Sequence, residues 1–350
     1  MSGYERPAAA AGMLRLHLNE NTAGCSPAVV EALGAMTAEN VAFYPEYDAV
    51  VAETAAYLGV PVDRVILTNG LDEGLLAATV ASVRGAVSGR DGARPEVIVP
   101  LPAFDMYGVC CRAVGATLVE VPPTRHLSFQ LDAVLGAITP ATRLVFITSP
   151  NNPTGVRVPL DAIARVAESV PPQALVFVDE AYHDFCGDTA LPLVDAHANV
   201  LVGRTFAKAH GLAALRVGCV LGAPATLAPL RLIVPPYSLN VCAAEGLRAA
   251  IRDDARLRWY VAEVEESRRR VYAWCARHGI EYYESGANFV LVRVGAAART
   301  FVAGLAARGI VVRERTRDAG CEGCIRITAG VVEHTARALA ALEEVLCDVR

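Results

Sequence analysis

Leu175-Val-Phe-Val-Asp179-Glu-Ala-Tyr182 and Arg204-Thr-Phe-Ala-Lys208-Ala-His-Gly-Leu-Ala-Ala-Leu-Arg216-Val-Gly218 are the two stretches that decide how this chain folds. The first is an apolar run ending in Asp179, the pattern of a buried strand that delivers a carboxylate at its C-terminal edge. A second apolar run, residues 199–203, leads to Lys208, which sits among small and apolar neighbours. Two strand ends can thus bring an acid and an amine to opposite sides of one small molecule. Taken singly, Asp179 reads as a structural acid and Lys208 as a surface lysine; the motifs around them overturn that reading.

Working outward, short β-rich runs recur at Arg64–Thr68, Glu96–Pro100, Thr117–Val121, Leu144–Thr148, Leu175–Asp179, Asn199–Gly203 and Val217–Leu221. They alternate with helical stretches, among them Asp132–Ile138 and Leu160–Val170. This predicts an α/β domain around a largely parallel sheet. Past Pro235-Pro236 the texture changes. From Ala243 to Arg277, Leu257, Val261, Val264, Val271 and Trp274 fall near helical spacing, with Glu265–Arg269 and Glu266–Arg270 pairs on the other face. One long helix is expected there. Runs at Ala287–Val294, Ile310–Arg315 and Ile325–Ala329, with helices around Thr300–Arg308 and from Val332, predict a smaller α+β domain. The expected division is residues 1–40 joining the small domain, 41–242 as the large domain, and 243–350 as interdomain helix and small domain.

Composition narrows the function. Of 350 residues, 53% are hydrophobic, yet no apolar run approaches membrane-spanning length, so a core or subunit interface is expected rather than a bilayer. A net charge of −5 without a basic block argues against nucleic acid as a partner. The first residues lack the long apolar segment of a signal peptide, so a cytoplasmic protein is expected. Ten scattered cysteines then read as reduced, mostly buried thiols. Cys321-Glu-Gly-Cys324 is a lone C-x-x-C, read as a turn between strands. The seven histidines form no ligand pair at helical spacing, and no metal is expected.

The acid and amine of the opening stretches are the pair that pyridoxal phosphate requires, an amine to form an imine and a carboxylate to keep the pyridine nitrogen protonated. Other motifs accompany them in order: Leu18-Asn-Glu-Asn21, Tyr44-Pro-Glu46, Thr68-Asn-Gly70-Leu71-Asp72-Glu73, Pro102-Ala-Phe104-Asp-Met-Tyr107, Ser149-Pro-Asn-Asn152-Pro-Thr-Gly155 and Ile325-Arg326-Ile-Thr328. In this order and spacing the chain resembles the fold-type-I pyridoxal-phosphate-dependent aminotransferases, most closely the histidinol-phosphate aminotransferase family. The resemblance runs from about Leu16 to the C-terminal helix.

It implies a role for each residue. Lys208 resembles the Schiff-base lysine, Asp179 the partner of the pyridine nitrogen, and Asn152 and Tyr182 the donors to the ring's phenolate oxygen. Phe104 resembles the aromatic stacked on the ring, although it equally suits a core position. Gly70, Leu71 and Asp72 follow a strand and open a helix, so their amides can cradle a phosphate, with Thr205 and Arg216 as further ligands. Two departures from the family stand out: Ala207 where serine is usual, and Leu71 where a small or hydroxyl residue is common. On the substrate side the resemblance implies Arg326, Arg313, Asn152, Asn21 and Tyr4. Arg313 reads equally as a surface charge at a strand end. Tyr44 resembles the tyrosine that reaches across a homodimer with shared active sites.

The implied partners are a small amino donor and a 2-oxo acid acceptor, with histidinol phosphate and 2-oxoglutarate as the expected pair. The rivals on this scaffold are an aromatic amino-acid aminotransferase and a threonine-phosphate decarboxylase-like lyase. A cofactor-sensing regulator is disfavoured by the lack of a basic helix-turn-helix extension.

Overall fold

The computed structural model describes residues 11–84 and 94–349. Among the described residues, twelve strands form two sheets. They are β1 (Leu14–Leu16), β2 (Val65–Asn69), β3 (Glu96–Pro100), β4 (Thr117–Val121), β5 (Thr142–Thr148), β6 (Leu175–Asp179), β7 (Val200–Thr205), β8 (Val217–Gly222), β9 (Glu281–Tyr283), β10 (Phe289–Arg293), β11 (Ile310–Glu314) and β12 (Cys324–Thr328). The larger sheet has the order β2-β8-β7-β6-β5-β3-β4, with β8 antiparallel to both its neighbours and the other pairs parallel. It is the expected seven-stranded, mostly parallel sheet. Its central strands are apolar along their whole length because helices cover both faces; Val176, Phe177, Val178, Val200, Leu201 and Val202 are fully buried.

Two glycines shape the end of this sheet that matters. A Cβ on Gly203 would lie 2.6 Å from the Phe177 ring and 2.8 Å from the Leu71 side chain. A Cβ on Gly218 would lie 2.6 Å from the Leu71 backbone nitrogen. Only bare backbone at these two positions lets the helix Leu71–Val83 begin directly against the strand ends.

The second sheet has the order β1-β11-β12-β10-β9. Its first strand comes from the N-terminal segment and pairs in parallel with β11, Leu14 opposite Ile310 and Leu16 opposite Val312. Leu16, Val290, Val292, Ile310, Val312, Ile325 and Ile327 pack with Trp274, Phe301 and Leu342 into a separate core beneath this sheet.

The structure departs from the sequence reading in three places. The helix expected across residues 243–277 is two helices, Val241–Arg252 and Asp254–His278. The break falls at Asp253, whose carboxylate accepts a hydrogen bond from Arg256 N (3.1 Å) and so caps the second helix. On that helix Glu266 bonds both Arg269 and Arg270, and the expected Glu265–Arg269 pair is absent among the described residues. Strands β1 and β9 were not anticipated, since three residues carry no readable alternation. Cys324 N bonds Cys321 O (2.9 Å) in a turn that leads into β12. No helix among the described residues is long and apolar enough to cross a membrane.

Candidate active site

A cavity of about 520 Å³ opens where the C-terminal ends of β5, β6 and β7 meet the first turn of the Leu71–Val83 helix on one side and β1, β11 and β12 on the other. Strand ends with a helix start form the usual ligand position of an open α/β sheet. Eleven of the expected residues line it: Leu71, Asp72, Phe104, Asn152, Asp179, Tyr182, Thr205, Lys208, Arg216, Arg313 and Arg326.

Asp179, the last residue of β6, is 3% exposed. Its carboxylate accepts hydrogen bonds from the Tyr107 hydroxyl (2.7 Å) and Ala181 N (3.0 Å). Burial nevertheless pushes its pKa up to about 6, from an ordinary 3.8. It is an anion without a counter-charge. A neighbouring buried ion pair, Arg204 Nε to Glu180 Oε2 at 2.7 Å, ties the ends of β6 and β7 together and fixes this wall.

Lys208 donates from Nζ to Leu18 O (3.0 Å). Burial, reinforced by the charge of Arg326, lowers its pKa to about 8. A substantial share of the amine is therefore neutral, and nucleophilic, just above neutral pH. Tyr182 is 3% exposed and its hydroxyl accepts from Asn19 Nδ2 (3.0 Å). Burial raises its pKa, so the phenol stays a proton donor.

The helix Leu71–Val83 opens with no side-chain cap, after Gly70 at φ +73°. Its first N–H groups are thus free to bind an anion. Arg216 closes this corner: its Nη2 bonds Asp72 Oδ2 (2.8 Å), and a Cβ on Gly70 would lie 2.6 Å from the same nitrogen. Arg216 holds a left-handed φ of +58°, a conformation that costs a non-glycine residue about 1–3 kcal/mol. The Leu71 side chain turns into the core and only its backbone serves the corner. Thr205 Oγ1 accepts from Ala207 N (3.2 Å), and Ala207 offers no hydroxyl.

At the opposite end Arg326 is 5% exposed. It bonds Asn152 Oδ1 through Nη1 and His17 O through Nη2 (2.8 Å), and lies 5.1 Å above the Phe289 ring. Burial lowers its pKa only to about 10, so it remains a cation at neutral pH.

Two expected residues lie elsewhere. Asn21 turns its amide to Ala209 O (2.8 Å) and accepts from Ala23 N (2.9 Å), pinning the N-terminal segment beside Lys208 without lining the cavity. Tyr44 is 75% exposed and stacked on Tyr237 at 4.1 Å. Tyr4 lies outside the described residues. Conversely, Tyr107, Thr148, Arg15, His17, Glu20 and Arg315 belong to the site or its walls and were not anticipated. His17 is buried with Nδ1 unpartnered, and burial keeps its imidazole below its ordinary pKa.

A buried anion, a buried amine of lowered pKa, and an uncapped helix start beside an arginine match the ring nitrogen, aldehyde and phosphate of pyridoxal phosphate. The residues present fit that group. The family of class I and II aminotransferases matches residues 11–342, and this chain belongs to it. Its relatives point more narrowly. It is 37% identical to histidinol-phosphate aminotransferase 2 of Ralstonia nicotianae, over 96% of this chain and 90% of that one. It is 36% identical to the histidinol-phosphate aminotransferase of Roseobacter denitrificans, over 94% and 90% respectively. It superposes with a TM-score of 0.83, at 27% identity and over 96% and 92% of the two chains, on the Sinorhizobium meliloti histidinol-phosphate aminotransferase in complex with pyridoxal 5'-phosphate. The chain is thus a pyridoxal-phosphate-dependent aminotransferase.

Proposed function

We propose that this enzyme transfers the amino group of histidinol phosphate to 2-oxoglutarate, giving imidazole-acetol phosphate and glutamate. The observation that carries the reading is Arg313 and Arg326 facing each other across β11 and β12 in the Lys208 cavity, since two guanidiniums suit a phosphate better than one carboxylate does. The named relatives support it.

When bound, the cofactor supplies an electron sink for the pair released as the donor's Cα–H bond breaks. Asp179 holds a negative charge where that sink needs a proton kept. Gly70, Leu71, Asp72, Thr205 and Arg216 would hold the cofactor's phosphate, Phe104 would cover its ring, and Asn152 and Tyr182 would donate to its phenolate oxygen. With the cofactor bound, Lys208 would take the proton from the donor's Cα and later give it up again; a pKa near 8 suits both tasks. Arg326 and Arg313 hold the substrate's anion and so fix which bond at Cα is broken.

Cytoplasmic action and a two-fold dimer with shared sites belong to the same proposal. Tyr44, Phe43, Val41 and Tyr237 are all more than half exposed, an aromatic patch suited to a second copy. Tyr44 would then reach the partner's cofactor phosphate.

The test is glutamate formation from histidinol phosphate and 2-oxoglutarate by the purified enzyme, against phenylalanine and threonine phosphate as donors. Faster turnover of phenylalanine would replace this reading with an aromatic aminotransferase. Carbon dioxide release from threonine phosphate would replace it with a lyase.

A further inference from the structure

Strand alternation sorts the side chains of the second sheet. Leu16, Ile310, Val312, Ile325 and Ile327 face the core, so Arg15, His17, Arg313, Arg315 and Arg326 face the cavity. Four guanidiniums thus converge on one end of the site. Arg15 is paired with Glu20 and Arg315 with Asp318, whereas Arg313 and Arg326 have no carboxylate partner among the described residues.

Arg315 is the unusual member. It is 6% exposed and lines the cavity. Its Nε lies against Asp318, and no hydrogen bond from its terminal nitrogens is present among the described residues, which leaves the fork free for an anion entering the cavity. The charges of Arg315 and Arg313 both act on Arg326, which places the three in one electrostatic cluster. Burial raises the pKa of Asp318, the charge of Arg315 opposes that rise, and the charge of Asp105 adds to it.

We propose that Arg315 is a third ligand of the substrate's phosphate, with Asp318 as the internal counter-ion that orients its fork before substrate arrives. This rests on the histidinol-phosphate reading and adds a residue that decides phosphate over carboxylate. Two unpaired guanidiniums balance a dianion, and the Arg315 fork supplies hydrogen bonds that a planar monoanionic carboxylate cannot all use.

The experiment is steady-state kinetics of the holoenzyme for Arg315→Gln, Asp318→Asn and the double variant, with histidinol phosphate and with glutamate as donor. Losing hydrogen bonds to a charged phosphate should raise the KM for histidinol phosphate about ten-fold or more in Arg315→Gln, with a far smaller change for glutamate. Asp318→Asn should raise that KM by a clearly smaller factor, because the fork stays and only the counter-ion that orients it is lost. The double variant leaves no buried carboxylate unpaired and should match Arg315→Gln, even if the single variant folds poorly. Equal losses in Arg315→Gln and Asp318→Asn would make the pair structural and overturn the proposal, as would an unchanged KM in the double variant.

If the wild type does not turn over histidinol phosphate, it is the functional reading that fails. Competition by inorganic phosphate against whichever donor is accepted then decides the role of Arg315. Weakened inhibition in Arg315→Gln upholds the anion site, and unaltered inhibition removes it.

Discussion

Asp179→Asn separates what the buried carboxylate costs the fold from what it does for the cofactor. Burial lifts the Asp179 pKa from 3.8 to about 6 despite hydrogen bonds from Tyr107 and Ala181. A rise of roughly two units corresponds to ~3 kcal/mol, at ~1.36 kcal/mol per unit. Because the folded value is the higher one, the stability linked to this group is fully present below the unfolded pKa and lost as pH rises through about 6. At about pH 8 the cofactor-free enzyme carries the whole penalty. Asparagine has no charge to bury, so the variant should match or slightly trail the wild type near pH 4, where one amide N–H meets the Ala181 N–H. It should gain on the wild type by up to ~3 kcal/mol toward pH 8. Urea unfolding of both cofactor-free proteins across this range measures the difference directly. Cofactor affinity should move the other way, weakening in the variant for want of an anion opposite the pyridine nitrogen. A stability difference that stays flat with pH would refute the argument, since no carboxylate would then be held above its ordinary pKa.

Arg326→Met should raise the Lys208 pKa above about 8, because the guanidinium helps burial to depress it. The pH dependence of Lys208 acylation in the cofactor-free enzyme, read by peptide mapping, checks this, and an unmoved midpoint counts against it. Ala207→Ser restores a hydroxyl beside the phosphate corner and should tighten cofactor binding about ten-fold, the worth of one hydrogen bond to a charged group; equal affinity would mean the corner is already satisfied. Mixing Tyr44→Phe subunits with Lys208→Ala subunits should yield heterodimers with one site carrying both lesions and one intact. Activity would then rise above either parent, and no recovery after proven exchange would sink the shared-site dimer.

The large sheet was legible because its strands are buried on both faces and so read as unbroken apolar runs: β3, β4 and β6 have the expected bounds. Lys208 and Asp179 were legible because a charge in such a setting is conspicuous. What escaped notice depends on distant partners. Tyr107 meets Asp179 across 72 residues, and nothing local marks it as more than a core aromatic. Arg315 looks like a strand-end surface charge until β1 and β12 close around it. Asn21 was expected from the resemblance alone, yet its amide turns to Ala209 O, while Asn19, at a left-handed φ of +54°, carries its own amide to Tyr182. The helix break had a local sign, the Asp253-Asp254 pair, but continuous helical spacing on either side masked it.

The edge strand β1 has a consequence for the order in which the molecule is made. Leu14 to Leu16 pair with residues 310–312, so the first described strand to leave the ribosome waits for one of the last. The phosphate corner likewise requires β8 to insert between β2 and β7, joining Asn69 to Val217. During synthesis the cofactor corner can therefore assemble once residue 222 has emerged, whereas the substrate end stays open until β11 is available. Capture of the cofactor can precede completion of the pocket that selects the substrate.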